Sequence, residues 1–149
     1  MIDARALLRE ANLSPKRSFG QNFLVAERIV RGIAEACVPE PEIGRARVLE
    51  LGAGLGALTS ELLARAKHVT AVERDRDLVP ILARALEGAV QAGTLSILEA
   101  DAQAVDPGVV LGEADPASAR VLCGNLPYQI TGRLLQLAVN GGKDAIALL

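Results

Sequence analysis

The chain has 149 residues, half of them hydrophobic, and a net charge of −2 at pH 7. That is about one domain, long enough to bury a core, and its charge excludes a molecule drawn to nucleic acid by a strongly basic overall field. No run approaches the length of an apolar membrane span and no signal peptide opens the chain. One Tyr, two Phe and no Trp leave the core to Leu, Val, Ile and Ala, so the place of each aromatic is informative.

In chain order, Asp3 can cap a short helix through Ala11, and residues 14–24 read as a polar loop. Arg5, Arg9, Lys16, Arg17, Arg28 and Arg31 outnumber Asp3, Glu10 and Glu27 here, which suits an RNA-facing edge or simply a solvated helix face. Val25, Ile29, Ile33 and Ala36 mark a helix over residues 25–37, closed off by Pro39 and Pro41. Residues 47–51 read as a strand, followed by a glycine-rich turn and a helix through Leu58, Leu62 and Leu63. A second strand is expected over 68–73, a helix over 77–92 with Pro80 in its first turn, and a third strand over 94–99. Residues 120–125 form the fourth strand, 131–140 a helix, and 145–149 begin a fifth.

Strands that are nearly continuous apolar runs, alternating with helices, predict an α/β fold: a parallel sheet covered by helices on both faces. Such sheets bind ligands at the carboxyl ends of their strands. The run Ala145–Leu149 has the character of a buried central strand, so the expectation is a sequence truncated after the fifth strand. Cys37 and Cys123 have no metal-type spacing and read as buried thiols of a reducing, cytoplasmic protein; no metal site is expected. His68, the single histidine, reads as structural.

The chemistry-bearing residues gather at strand ends. Gly52, Gly54 and Gly56 follow the first strand, where glycines let a backbone approach a ligand and offer N–H groups at a helix start. Gly52-x-Gly54-x-x-Ala57 also fits a dinucleotide fingerprint. Glu73 ends the second strand, where its carboxylate can accept both hydroxyls of a ribose in either case. Asp101 follows the third strand, placed to receive an adenine amine or to cap a helix. After the fourth strand come Asn125, Leu126, Pro127 and Tyr128: an amide acceptor, a rigid turn and a π-face on which a base can stack.

Together, Lys16–Leu24, Glu50–Gly56, Glu73-Arg74-Asp75, Asp101-Ala102 and Gly124–Tyr128 resemble the small-subunit ribosomal RNA adenine N6,N6-dimethyltransferase family over about residues 14–149. The related macrolide-resistance methyltransferases of large-subunit rRNA carry a similar set. The resemblance implies a Rossmann-like class I S-adenosylmethionine-dependent methyltransferase fold. It also implies a cytoplasmic enzyme of ribosome biogenesis that puts two methyls on each of two neighbouring adenines near the 3′ end of small-subunit rRNA, in an immature 30S-type subunit. Residues 1–46 would be a helical and loop segment closing over the cofactor. Residues 47–149 would be the catalytic core, without the family's C-terminal helical RNA-binding domain. Asn22 and Leu24 would close over S-adenosylmethionine, Gly52 and Gly54 would approach it, Glu73 would hold its ribose and Asp101 with Ala102 its adenine. Asn125, Leu126, Pro127 and Tyr128 would be catalytic, Asn125 also bordering the methyl donor. Gln129 stands where the family often has Asn. Two other classes remain open on the residues: a nicotinamide-dependent dehydrogenase, for which only the glycine spacing speaks, and a non-catalytic ribosome-assembly module that keeps the pocket.

Overall fold

The computed structural model describes residues 6–7, 26–113, 117–125, 132 and, by backbone alone, 146–148. Five parallel strands form one sheet: β1 (Arg47–Leu51), β2 (His68–Glu73), β3 (Leu95–Glu99), β4 (Arg120–Gly124) and β5 (Ile146–Leu148). Their order is β3-β2-β1-β4-β5. The order reverses between β1 and β4, the point at which an open α/β sheet forms a ligand crevice. In the register, Leu49 of β1 lies beside Thr70 of β2 and Leu122 of β4.

Both sheet faces are buried, which is why β1, β2 and β4 read as near-continuous apolar runs. One face carries Val48, Val69, Ala71, Val121 and Cys123 against helices α1 (Glu27–Cys37) and α2 (Ala57–Leu63), which contribute Val30, Ala34, Leu58 and Leu62. The other carries Leu49, Leu51, Val72 and Leu122 against Ala102 and Leu111. A third, smaller cluster joins Leu55 and Leu78 to Leu7, which lies in the helical pair Ala6–Leu7.

The structure differs from the sequence-based expectation in two elements. Residues 77–92 do not form one helix but two, α3 (Val79–Ala85) and α4 (Glu87–Gln91), broken at Leu86 with φ −119° and ψ 28°. Gly88, a poor helix residue, follows the break, and the bend lets both Leu86 and Ala89 reach the core. A further helix, α5 (Pro107–Leu111), was not anticipated. Its signal was present: Asp106 accepts the N–H of Gly108 and of Val109, with Pro107 in the first turn. Cys37 and Cys123 are both buried free thiols, as expected. His68 sits at the start of β2 with Nε2 3.1 Å from the Ser96 hydroxyl; partial burial and nearby Arg47 hold its pKa below the ordinary value.

Candidate functional site

The carboxyl ends of four neighbouring strands bring the candidate residues into one row. Asp101 follows β3, Glu73 ends β2, the glycine turn follows β1 and Asn125 follows β4. At about 4.8 Å per strand, the row from Asp101 to Asn125 spans roughly 14 Å, the scale of an extended nucleoside carrying an amino-acid tail. Asn22, Leu24, Leu126, Pro127 and Tyr128 lie outside the described residues.

The turn between β1 and α2 is built by backbone conformations that side chains resist. Gly52, Gly54 and Gly56 have φ of 75°, 58° and 85°. β4 approaches this turn closely: a Cβ on Gly124 would collide with the carbonyl oxygen of Leu51. The crevice wall on this side is therefore bare backbone.

Glu73 fastens the turn. Only 7% exposed, it accepts the N–H of Gly54 on Oε2 at 2.8 Å and the N–H of Asp75 on Oε1 at 2.8 Å. Each carboxylate oxygen has a second lone pair, so the group can still receive a pair of hydroxyls. Three more of the turn's amides are also committed. Gly52 and Ala53 donate to the Val72 carbonyl, and Gly56 donates to that of Ala53. The expectation that the glycine turn offers N–H donors thus meets a correction at Gly52, Ala53, Gly54 and Gly56, whose amides serve the fold.

Asp101 takes the capping role in this structure. Its Oδ1 accepts the Gln103 N–H at 2.9 Å, starting a short 3-10 turn over Ala102–Ala104, and Oδ2 lies 3.5 Å from Arg74 Nη1. That ion pair is about half exposed and holds little energy. Ala102 is buried behind it.

Two residues that the motif reading gave no role stand out by burial. Glu50, 2% exposed, has Oε2 without a hydrogen-bond partner, and Thr59, fully buried in α2, has its hydroxyl in the same condition. Burial pushes the Glu50 carboxyl up to about 7; the nearby Thr59 hydroxyl offsets this in part without completing a hydrogen bond, and the charge of Glu73 adds to the rise. With Asp75, also buried, the crevice is walled by carboxyl groups. A cavity of about 210 Å³ lies instead at the amino ends of the strands, lined by Arg47, Lys67, His68, Glu113, Ser118 and Arg120, and belongs to the opposite rim.

Orphaned carboxyl and hydroxyl atoms under a glycine-rich turn suit a ligand with a cationic end and a hydroxyl-bearing sugar. They suit a pyrophosphate poorly, since the turn keeps few donors and the wall is acidic. No group of acidic, His or Cys residues among the described residues has metal-site geometry.

A family model for ribosomal RNA adenine dimethylase matches residues 12–148. Ribosomal RNA small subunit methyltransferase A of Pelotomaculum thermopropionicum is 44% identical over 137 residues, covering 88% of this chain and 44% of the relative. The protein of the same name from Deinococcus radiodurans is 44% identical over 131 residues, covering 88% of this chain and 40% of its own. The chain thus spans less than half the length of these curated relatives. The crystal structure of the 23S rRNA methyltransferase ErmE superimposes with a TM-score of 0.66 at 28% identity, over 85% of this chain and 47% of that one. The fold is the Rossmann-like class I methyltransferase fold.

Proposed function

The chain belongs to the ribosomal RNA adenine dimethylase family, and from that membership we propose that it carries the methyl-transfer core of a small-subunit rRNA adenine N6,N6-dimethyltransferase. The cofactor is S-adenosylmethionine and the partner is the rRNA of an immature small ribosomal subunit in the cytoplasm. Two methyls go to each of two adjacent adenines near the 3′ end. The observation that carries the cofactor assignment is the acid-walled turn, four of whose amides are already bonded. It favours a cationic sulfonium and ammonium over the pyrophosphate of a nicotinamide dinucleotide.

Glu73 would hold the ribose through its free lone pairs, and Gly52 and Gly54 would let the methionine part approach. Asp101 with Ala102 would border the adenine, where binding would replace the Arg74 pair. Residues 1–46 would close over the bound cofactor through Asn22 and Leu24; from Glu27 onward this segment already packs into the core. S-adenosylmethionine supplies a methyl on an electrophilic sulfonium carbon, so the protein's task is mainly to aim a weak nucleophile. Asn125, at the end of β4 beside the glycine turn, would accept a hydrogen from the adenine amine. Leu126 and Pro127 would shape the turn around it, a backbone carbonyl there would take the second hydrogen, and Tyr128 would stack the flipped base. The methylated nitrogen is acidic and loses its proton readily, so no dedicated base is required.

The likeness to ErmE favours large-subunit rRNA as a second reading, but the relatives named for the small subunit are the more similar at 44% identity against 28%. Calorimetry with S-adenosylmethionine and, separately, reduced nicotinamide dinucleotide tests the cofactor: heat with the first and none with the second is expected. Methyl transfer by the full-length protein to unmodified small subunits, set against large subunits, tests the substrate.

A further inference from the structure

The amino ends of the strands hold a chemically different set of side chains. Arg47 opens β1, His68 opens β2 and Arg120 opens β4, and the register sets His68 beside Arg47 and Arg47 beside Arg120. Residues abreast in neighbouring parallel strands share a face of the sheet, here the face of Leu49 and Leu122 that Leu111 of α5 covers. The end of α5 meets this row. Arg120 Nη1 donates to the Gly112 carbonyl at 2.9 Å, and a Cβ on Gly112 would lie 3.4 Å from Arg47 Nη1. Two guanidinium groups from adjacent strands thus converge on one glycine, and Lys67 joins them in the lining of the cavity of about 210 Å³. Three permanent cations line that cavity against one carboxylate, that of Glu113. Arg47 and Lys67 are exposed, and their side chains make no hydrogen bond or ion pair among the described residues. Partial burial and then the charge of Arg47 hold the His68 pKa down, as expected beside an electropositive cavity.

We propose that this cavity is a phosphate site that holds a phosphodiester of the RNA backbone among Arg47, Lys67 and Arg120. The choice of RNA rests on the rRNA reading of the chain. The site is separate from the cofactor crevice: the five residues of β1, at about 3.3 Å each, put it roughly 17 Å from the glycine turn. An adenine turned into the crevice leaves its own backbone against an acidic wall, so that backbone must find its cations on another rim. A guanidinium offers paired N–H groups that match two phosphate oxygens, and the ammonium of Lys67 adds a point charge beside them.

His68, the single histidine of the chain, reports on this cavity by NMR. An RNA hairpin with the unmodified 3′-end sequence of small-subunit rRNA, added to the chain at low salt, moves the imidazole resonances as it binds. Inorganic phosphate in place of the hairpin tests the free anion. Arg47→Ser and Arg84→Ser carry the same net charge, but Arg84 lies in the last turn of α3 and does not line the cavity. Arg47→Ser lowers affinity for the hairpin about tenfold and its salt slope by about one unit, while Arg84→Ser leaves both near the parent's. Lys67→Ser repeats the loss at a residue outside any strand, so the test stands even if Arg47→Ser does not fold. Cofactor affinity stays at the parent's value in all three. Hairpin binding that leaves the His68 resonances in place overturns the inference and leaves the rRNA reading standing. Equal losses in Arg47→Ser and Arg84→Ser show diffuse attraction and overturn it likewise. Movement with inorganic phosphate but not with the hairpin overturns the choice of RNA. Absence of any hairpin binding at low salt overturns the site, while methyl transfer to small subunits decides the rRNA reading separately.

Discussion

The carboxylate of Glu73 holds the glycine turn against β2 through two charge-assisted hydrogen bonds before any ligand arrives. Glu73→Ala is therefore expected to cost about 2–4 kcal/mol of folding stability and, where the domain stays folded, about 1–3 kcal/mol of cofactor binding. Glu73→Gln keeps one acceptor but turns an NH2 toward the second amide, and should fall between. Thermal unfolding beside cofactor titration checks this; unchanged stability in the alanine variant would remove the latch role. Glu50 has a pH signature of its own. Its folded pKa, about 7, lies above its unfolded value, so its contribution to stability is whole below the unfolded pKa and is lost as pH rises through 7. The ligand-free chain should lose on the order of 3 kcal/mol from this group between pH 4 and 8, and Glu50→Gln should not. Subtracting the two unfolding profiles isolates Glu50 from other carboxylates; parallel profiles would show no shifted group. Under the proposed role, Asn125→Ala should lower kcat more than it raises KM, because a hydrogen bond to the adenine amine would strengthen as the amine reacts. Tyr128→Phe should keep most activity, while Tyr128→Ala loses about 1–3 kcal/mol of stacking. Equal damage by both would assign the role to the hydroxyl. The positions of Gly52, Gly54, Glu73 and Asp101 at strand ends were legible, because unusual residues there announce themselves. The isolation of Glu50 was not, because it depends on Ala71 and Cys123 from other strands rather than on its own neighbours in sequence.

At the level of elements, strand boundaries read well: β1 and β2 occupy the expected residues because a strand buried on both faces has few sequence solutions. The helices read less well. The break at Leu86 serves a packing demand set by β3 and the core, which no local periodicity encodes, whereas α5 was signalled by Asp106-Pro107. β4 carries a sharper constraint. Its final residue, Gly124, pairs with Leu51 at the sheet's reversal point and leaves no space for a methyl group. Gly124→Ala must separate the ends of β1 and β4, at about 1–3 kcal/mol as for other overpacked sites. Urea unfolding measures that cost. Because Asn125 follows directly, methyl transfer in the full-length variant should fall further than stability alone accounts for. A variant as stable as the parent would mean that the two strand ends part freely.

Across the whole molecule, two opposed surfaces divide the labour. The carboxyl ends of the strands gather Glu50, Glu73, Asp75 and Asp101, with Arg74 beside Asp101, while the amino ends gather Arg47, Lys67 and Arg120 with Glu113. A crevice so acidic draws a cationic cofactor but repels a phosphate backbone, and the net charge of −2 adds no long-range attraction for RNA. Grip on the rRNA must then come from local basic patches, each neutralised phosphate contributing about one unit of salt slope. The described residues form the core proposed to bind the cofactor, and the curated relatives are more than twice as long as the segment they share with this chain. A polypeptide of these 149 residues is therefore expected to bind S-adenosylmethionine yet to hold RNA weakly and with strong salt dependence. Its dimethyladenine formation on unmodified small subunits should be far below that of a full-length relative. No helix among the described residues is long and apolar enough to cross a membrane. Measured side by side at matched cofactor saturation, equal turnover would show that residues 1–149 supply the RNA contacts themselves. In that case the basic residues of the first 31 positions, rather than any further domain, would be the place to seek them.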